Sequence, residues 1–260
     1  MSHYQQRAKK RFGQHFLHDQ SVVERMLAVL NLQADQRVVE IGPGPGALTF
    51  PLLSRLQRLD VVEIDRDLIA WWQQQPQARD KLHIHAEDAL HLDIARLRGD
   101  SDPLRVVGNL PYNISTPLIF HLLRNREHIR DMLFMLQKEV VDRITAEPDS
   151  AHYGRLSVMV QYFCEAHYIL HVGPNAFDPP PKVDSAVVYL KPFATPPFIA
   201  QDAGHFADVV AQAFSQRRKT LRNTLKGVIS SEQMESIGID PQRRAETLSV
   251  EEFVNLSNLT

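Results

Sequence analysis

Cysteines, long apolar runs and secretion signals are scarce or missing in this chain. A single cysteine among 260 residues rules out a disulfide within the chain, which is typical of proteins from reducing compartments. No apolar run is long enough to cross a bilayer, and no apolar stretch follows the basic N-terminal residues as it would in a signal peptide. We therefore expect a soluble, cytoplasmic protein.

A large net charge is missing as well, since the formal net charge at pH 7 is −2. The basic residues are nevertheless unevenly distributed. Residues 1–18 and residues 209–231 contain basic side chains and no acidic one, which favours a polyanionic partner. The basic residues of these two segments are Arg7, Lys9, Lys10 and Arg11, and then Arg217, Arg218, Lys219, Arg222 and Lys226.

The signatures of several enzyme classes are also missing. His83, His85 and His91 lie near Asp88 in the sequence, but their spacing matches no strong zinc signature. There is no serine nucleophile elbow, and Cys164 has no evident partner, so we predict that it is packed. We expect neither a metal site nor serine-hydrolase chemistry.

Short apolar strands alternate with amphipathic helices over the first part of the chain. We predict strands over residues 37–41, 59–64, 82–86, 104–108 and 132–136, and helices over residues 21–30, 47–56, 67–74, 117–123 and 138–145. This alternation predicts an α/β fold with a Rossmann-like, mostly parallel sheet. Strands predicted over 168–172 and 186–190 are too close for a helical crossover, so at least one of them is antiparallel.

The end of the chain has a different composition. Residues 191–197 are typical of a linker, and residues 203–260 are rich in predicted helix and poor in predicted strand. We therefore predict two domains, an α/β domain over residues 1–195 with a basic arm over residues 1–18, and a small helical domain over residues 196–260.

A glycine loop, EIGPGPG at residues 40–46, stands between the first predicted strand of the sheet and its helix, where α/β sheets bind nucleotides. Gly42, Gly44 and Ala47 fit a relaxed dinucleotide-binding pattern. Pro43 and Pro45, however, remove N–H donors that would hold a pyrophosphate. S-adenosylmethionine has no phosphate and needs mainly the close backbone approach that glycine permits. The loop therefore favours that cofactor over a nicotinamide dinucleotide.

Acidic residues follow the next two predicted strands, at the same edge of the sheet as the loop. We predict that Glu63 accepts hydrogen bonds from both ribose hydroxyls of the cofactor, with Asp65 as the rival for that role. We predict that Asp88 hydrogen-bonds the amino group of the cofactor's adenine.

The segment Asn-Leu-Pro-Tyr at residues 109–112 directly follows the fourth predicted strand and projects into the same crevice. The exocyclic nitrogen of adenine is a poor nucleophile because its lone pair is delocalised into the ring. The side-chain oxygen of Asn109 and the carbonyl oxygen of Leu110 can draw the amino hydrogens out of the ring plane, while Tyr112 stacks on the base. The segment predicts methyl transfer to a planar amino group, with catalysis mainly by positioning.

The chain resembles the small-subunit ribosomal RNA dimethyladenosine transferases of the KsgA/RsmA type over nearly its whole length. The matching segments are RFGQHFL at 11–17, EIGPGPGALT at 40–49, GNLPYNISTP at 108–117, MLQKEV at 135–140, YGRLSV at 153–158, FDPPPKVDS at 177–185, FSQRRKTLR at 214–222 and RAE at 244–246. So many matches in the same order are highly specific to this family.

The resemblance implies a class I methyltransferase sheet, S-adenosylmethionine as cofactor, and dimethylation of two adjacent adenosines near the 3′ end of 16S rRNA in an assembling small ribosomal subunit. It places Phe177 on the face of the target adenine opposite Tyr112. Many relatives carry asparagine where His15 stands, which leaves open whether that residue contacts the cofactor through its backbone. The cofactor contacts that the resemblance implies fall on His15, Leu17, Gly42, Glu63, Asp88 and Asn109.

Three rival functions can be weighed against this interpretation. A large-subunit rRNA adenine methyltransferase of the macrolide-resistance type shares the fold, but Leu110 and the segment 214–222 favour the small-subunit type by resemblance. The catalytic segment argues against a ribosome-assembly factor without chemistry, and the loop prolines argue against a nicotinamide dehydrogenase. We hypothesise that Arg217, Arg218, Lys219 and Arg222 contact RNA phosphates, and we expect a monomer.

Overall fold

Strands and helices alternate along the chain. The structure, a computed structural model, describes residues 14–78 and 80–260. The strands are β1 (Phe16–Leu17), β2 (Val38–Ile41), β3 (Leu59–Val62), β4 (Leu82–His85), β5 (Leu104–Asn109), β6 (Ile129–Gln137), β7 (Cys164–Val172), β8 (Phe177–Asp178) and β9 (Ser185–Pro192). The helices are α1 (Gln20–Leu30), α2 (Thr49–Arg55), α3 (Arg66–Gln73), α4 (Ile94–Arg98), α5 (Ser115–Arg124), α6 (Lys138–Ile144), α7 (Arg155–Phe163), α8 (Ala203–Ala213), α9 (Leu221–Thr224), α10 (Ser231–Ser236) and α11 (Val250–Ser257).

Seven of these strands form one sheet in the order β4-β3-β2-β5-β6-β9-β7. The strands from β2 to β6 pair in parallel, and β9 runs antiparallel to β6. Strands β2 and β3 are buried at every residue, as expected for parallel strands that are covered on both faces. The predicted α/β fold, with a mostly parallel sheet and an antiparallel strand near its end, is confirmed.

A second, two-stranded sheet was not predicted from the sequence. Strand β1 pairs antiparallel with β8, and the partners are Phe16 with Asp178 and Leu17 with Phe177. His18 N donates to Ala176 O at 2.9 Å and extends the pairing by one bond. Two residues are too few to give a recognisable alternating pattern, so a strand of this length is identified only once its pairing partner is known.

The chain divides into two compact units. The first contains the described residues up to Val141 together with His167–Pro192, and the second contains Asp142–Ala166 and Phe193–Thr260. The second segment of this unit begins at Phe193, close to the boundary that we predicted at residues 195 and 196, but the unit also contains residues 142–166, which we placed in the first domain. The two-domain division at residues 1–195 and 196–260 stays a prediction.

The second unit has an apolar core of its own. Phe206 of α8 and Phe253 of α11 are fully buried, and the rings of Tyr162 and Phe206 lie 4.3 Å apart between their centroids. Gln161 of α7 donates through Nε2 to two backbone carbonyls near the end of α6, each at 2.9 Å. These contacts explain why α7 belongs to this unit although it precedes β7 in the sequence.

None of the helices described, from α1 to α11, has the length and apolar character that a bilayer span requires.

Candidate active site

A cavity opens at the carboxyl ends of β2, β3 and β5. Strand β2 stands between β3 and β5, so the order of the strands reverses at β2. Open α/β sheets bind their ligands in the crevice that forms at such a point. The predicted site residues that line the cavity are His15, Leu17, Gly42, Glu63, Asp88, Asn109, Leu110 and Tyr112.

The glycine loop after β2 forms the floor of this cavity. Gly42 N donates to Val62 O at 2.9 Å, which continues the pairing of β2 with β3 beyond the end of the strand. Gly46 has a φ of 99°, and a Cβ there would lie 2.6–2.8 Å from the rings of Phe50 and Trp72. The Trp72 indole N–H also donates to Gly44 O at 3.0 Å. The loop is therefore packed against α2 and α3, which contain Phe50 and Trp72.

Glu63 lines the cavity, whereas Asp65 is not among the described residues that line it. Glu63 Oε1 accepts hydrogen bonds from the backbone N–H groups of Ile64 and Asp65, both at 2.8 Å, and burial raises the pKa of this carboxyl above its ordinary value. Asp65 is the N-cap of α3 and accepts a hydrogen bond from Asp67 N. Because Glu63 is among the described residues that line the cavity and Asp65 is not, the geometry favours Glu63 for a ligand there, and its role stays a prediction.

Two further lining residues were missed by the sequence analysis as site residues. Glu40, at 2% exposure, has a carboxylate oxygen, Oε2, without a hydrogen-bond partner among the described residues. Burial raises the pKa of Glu40 to about 8. Ile64 is 51% exposed although it is a large apolar side chain. The sequence signals for these two residues were the acidic residue that begins the glycine loop and the apolar residue directly after Glu63.

Asp88 caps the short 3₁₀ turn Ala89–His91 at the cavity wall. Its Oδ1 accepts a hydrogen bond from Leu90 N at 2.9 Å, and its Oδ2 lies 3.5 Å from His91 Nδ1. The capping bond fixes the direction of the carboxylate, which matters for a residue that is predicted to recognise an amino group by a single hydrogen bond.

Asn109 ends β5 with its side-chain amide in a fixed orientation. The Nδ2 group of Asn109 donates to His15 O at 2.8 Å. Because a carbonyl can only accept, this bond identifies the NH₂ end of the amide, and Oδ1 is the acceptor that remains for a ligand. Leu110 follows with its backbone N–H donating to Met135 O at 3.1 Å, and this buried residue also lines the cavity.

Tyr112 is half-buried and is held from two directions. Its hydroxyl lies 2.7 Å from Ser185 Oγ, at the beginning of β9. Its ring lies 5.5 Å from the His15 ring, centroid to centroid, at an interplanar angle of 28°. Burial raises the pKa of the Tyr112 hydroxyl above its ordinary value, so the side chain offers a flat face and a neutral hydroxyl near neutral pH.

Leu17 and Phe177 are neighbours across the β1–β8 pair, but only Leu17 reaches the cavity. Leu17 is 6% exposed and lines the wall. Phe177 is 2% exposed, packs in the apolar core, and is not among the described residues that line the cavity. Its predicted place against the target adenine stays a prediction.

The predicted RNA contacts lie in the second unit, whereas the cavity belongs to the first. The side chains of Arg217, Arg218, Lys219 and Arg222 are exposed. Arg217 donates to Ala151 O at 2.6 Å and lies 3.7 Å from Glu246. The other basic segment, Arg7, Lys9, Lys10 and Arg11, lies outside the described residues.

The histidines near Asp88 do not form a cluster in the described part of the chain. His85 Nε2 lies 2.9 Å from Asp60 Oδ1, and the buried Asp60 carboxylate also accepts hydrogen bonds from Arg58. Within residues 14–78 and 80–260, no three histidine, cysteine or acidic side chains come together as metal ligands would. The expected absence of a metal stays a prediction.

Known proteins are similar to this chain in sequence and in fold. A curated relative from Alcanivorax borkumensis, named Ribosomal RNA small subunit methyltransferase A, is 56% identical over 98% of this chain and 90% of its own length. A relative of the same name from Pseudomonas aeruginosa is 54% identical over 98% of this chain and 95% of its own length.

Two solved structures have a similar fold at low sequence identity. A dimethyladenosine transferase from Plasmodium falciparum has a TM-score of 0.76 at 24% identity, and the alignment covers 93% of this chain and 96% of that one. The 23S rRNA methyltransferase ErmE has a TM-score of 0.75 at 23% identity, and the alignment covers 94% of this chain and 98% of that one. Both are methyltransferases by name, and the likeness confirms the class I methyltransferase fold.

The family model for ribosomal RNA adenine dimethylase matches residues 5–260. The predicted enzyme class, a methyltransferase that dimethylates rRNA adenine with S-adenosylmethionine as the methyl donor, is thereby confirmed. By this match over nearly its whole length, and by its identity to the curated relatives, this chain belongs to the ribosomal RNA adenine dimethylase family.

Proposed function

We propose that this protein transfers methyl groups from S-adenosylmethionine to N6 of two adjacent adenosines near the 3′ end of 16S rRNA, in a small ribosomal subunit or its precursor. The observation that carries the chemistry is the Asn109 amide, whose Nδ2 is bound by His15 O so that Oδ1 remains as the acceptor. The small-subunit substrate is supported by relatives more than half identical whose names state it.

The cavity suits a cofactor that is cationic at one end and flat at the other. Glu40 Oε2 is a buried carboxylate oxygen without a partner among the described residues, and it fits a positively charged amino group. Glu63 fits the ribose hydroxyls and Asp88 fits an exocyclic amino group. The exposed apolar side chain of Ile64 can cover an adenine ring. Gly42, Leu17 and the backbone of His15 complete the proposed contacts.

The residues at the end of β5 prepare the target nitrogen. When bound, S-adenosylmethionine supplies a methyl group on a positively charged sulfur. Asn109 Oδ1 and Leu110 O accept the two amino hydrogens of adenine and draw them out of the ring plane, which frees the nitrogen lone pair. Tyr112 holds the plane of the base by stacking. The raised pKa of Tyr112 keeps its hydroxyl protonated, so Tyr112 orients the adenine and does not accept a proton from it.

The remaining contacts to RNA are proposed on charge. Arg217, Arg218, Lys219 and Arg222 are exposed and lie in a segment without acidic residues, which suits RNA phosphates. Phe177 is proposed as a second stacking partner of the target base, which requires it to leave its buried position in β8. We also propose that the protein works in the cytoplasm as a monomer.

Methyl transfer to isolated ribosomal particles tests the proposed function. Particles from cells that lack this enzyme are incubated with labelled S-adenosylmethionine, and the modified nucleotides are identified by mass spectrometry. We expect dimethyladenosine in the rRNA of 30S particles and none in that of 50S particles. Labelling of 50S particles would favour the macrolide-resistance type instead. Absence of label in both would favour an assembly factor.

The same assay tests the role of Asn109. We expect Asn109→Ala to lower kcat by about 10²–10³-fold, the usual loss on removing a preorganised polar group from a reacting centre. Cofactor binding, measured by calorimetry, should be retained or weakened. Asn255→Ala removes an exposed asparagine from α11 and is the matched control. Full turnover by Asn109→Ala would refute the proposed mechanism.

A further inference from the structure

His15 touches both of the groups that the target base must meet. Its carbonyl oxygen accepts a hydrogen bond from Asn109 Nδ2 at 2.8 Å, and its ring stacks on Tyr112. A base that presents its amino group to Asn109 and its face to Tyr112 must enter the space beside both side chains. The His15 ring already lies against the Tyr112 side of that space.

The His15 ring is held there by a directed bond. His15 Nδ1 lies 2.8 Å from Pro179 O, in the loop between β8 and β9. A carbonyl oxygen can only accept, so the Nδ1 nitrogen carries the proton in this contact and donates it. The ring is thus a flat heteroaromatic group that stacks on Tyr112 and is hydrogen-bonded at its edge, as a nucleobase in the same place would be.

Tyr112 has little freedom to turn away from this ring. Its hydroxyl is fixed by Ser185 Oγ at 2.7 Å, and Ser185 is fully buried in β9. The orientation of the Tyr112 ring is therefore set in the absence of RNA. A base that stacks on the face covered by His15 has to displace the imidazole rather than move the tyrosine.

We propose that the imidazole of His15 is a placeholder for the target base, which occupies the Tyr112 face until an adenine displaces it. This inference rests on the proposed function. The exchange replaces one stacked ring by a larger one and breaks the bond between His15 and Pro179. It makes His15 a determinant of substrate affinity, because a base gains only the difference between its own stacking and that of the imidazole.

Steady-state kinetics on unmethylated 30S particles tests this exchange. We expect His15→Ala to lower the KM for the particle by about three- to tenfold, the factor that an aromatic stacking contact is worth. His15→Phe restores a flat ring and should return the KM to the parent value or above it. His18→Ala, an exposed histidine of the same segment, is the matched control and should leave the KM unchanged.

The outcomes separate this inference from the function on which it rests. If the parent enzyme does not methylate 30S particles, the proposed function fails. If it does, an unchanged or higher KM in His15→Ala overturns the placeholder, and so does a His15→Phe variant that behaves like His15→Ala. The KM for S-adenosylmethionine is measured separately, so that a lost cofactor contact is not mistaken for the exchange. His15→Asn, expected to lower the particle KM similarly, replaces the alanine variant if that variant does not fold.

Discussion

At the residue scale, Glu40 couples the cavity to pH. Its carboxyl is buried, and its pKa of about 8 lies far above the ordinary value of 4.5. Between about pH 4.5 and 8, the Glu40 carboxyl is therefore protonated in the folded chain and ionised in the unfolded chain. In this window the contribution of Glu40 to stability falls as the pH rises. A cationic ligand group at Glu40 favours the ionised carboxylate and so releases that proton on binding.

We therefore predict that S-adenosylmethionine binds more tightly as the pH rises from 6 to 8, with a slope that approaches tenfold per pH unit well below pH 8. Calorimetry in buffers of different ionisation enthalpy measures both the affinity and the proton released. Glu40→Gln should bind the cofactor more weakly and lose most of this slope. An affinity of the parent protein that is independent of pH would contradict the pairing of Glu40 with a cation.

We predict that the hydrogen bond between the Tyr112 hydroxyl and Ser185 Oγ orients the Tyr112 ring. Ser185→Ala and Tyr112→Phe each remove one partner of the same hydrogen bond, at 2.7 Å. If the bond orients the ring, the two changes are not additive in kcat/KM, and we expect a coupling of about 0.5–1.5 kcal/mol. The double-mutant cycle is measured on 30S particles. Fully additive losses would show that the hydroxyl contact does not position the ring.

At the element scale, the glycine loop between β2 and α2 allows a matched pair of substitutions. Gly42 and Gly46 both have positive φ angles, of 69° and 99°, but a Cβ at Gly42 meets nothing within 4 Å, whereas one at Gly46 meets two aromatic rings. We predict that Gly42→Ala lowers the free energy of unfolding by about 1 kcal/mol through backbone strain alone. Gly46→Ala should lower it by about 1–3 kcal/mol more, through overpacking.

Urea unfolding of both variants measures this difference. Both substitutions are compared by the free energy of unfolding, which is measured without a ligand. Equal losses in the two variants would mean that Phe50 and Trp72 can move away from the loop at little cost, contrary to the packing described.

The elements that could be predicted from the sequence are those whose signal is local. The buried strands β2 and β3 are short apolar runs in the sequence, and glycines between a predicted strand and a predicted helix indicate the loop. The pairing of β1 with β8 could not be predicted, because Leu17 and Phe177, which it joins, are far apart in the sequence. The missed partners of Tyr112, which are His15 and Ser185, also lie far from it in the chain, and no local sequence pattern indicates such contacts.

At the scale of the whole molecule, the chain combines a near-neutral net charge with a segment, residues 209–231, that has basic and no acidic side chains. Arg218, Lys219 and Arg222 are exposed in the second unit. If they contact RNA phosphates, replacing all three by glutamine should weaken binding of 30S particles. It should also reduce the slope of log K against log salt by about 2, at about 0.7 for each single-stranded contact.

The control for this prediction removes the same charge elsewhere. Arg25, Arg55 and Arg124 are exposed on α1, α2 and at the end of α5, and their joint replacement by glutamine should leave most of the slope in place. Binding is measured between about 50 and 200 mM salt. An identical slope for the parent and the Arg218, Lys219 and Arg222 triple variant would show that these residues form only a solvated surface.

The pairing of β1 with β8 has a consequence for synthesis of the chain. Leu17 leaves the ribosome long before Phe177, its partner across the small sheet. At a translation rate of about 5–20 residues per second, the interval is roughly 8–30 s. Throughout that time one wall of the cavity, the β1 wall, lacks the strand that holds it. A nascent chain can therefore fold its first strands early, yet it completes the cavity only after β8 has been made.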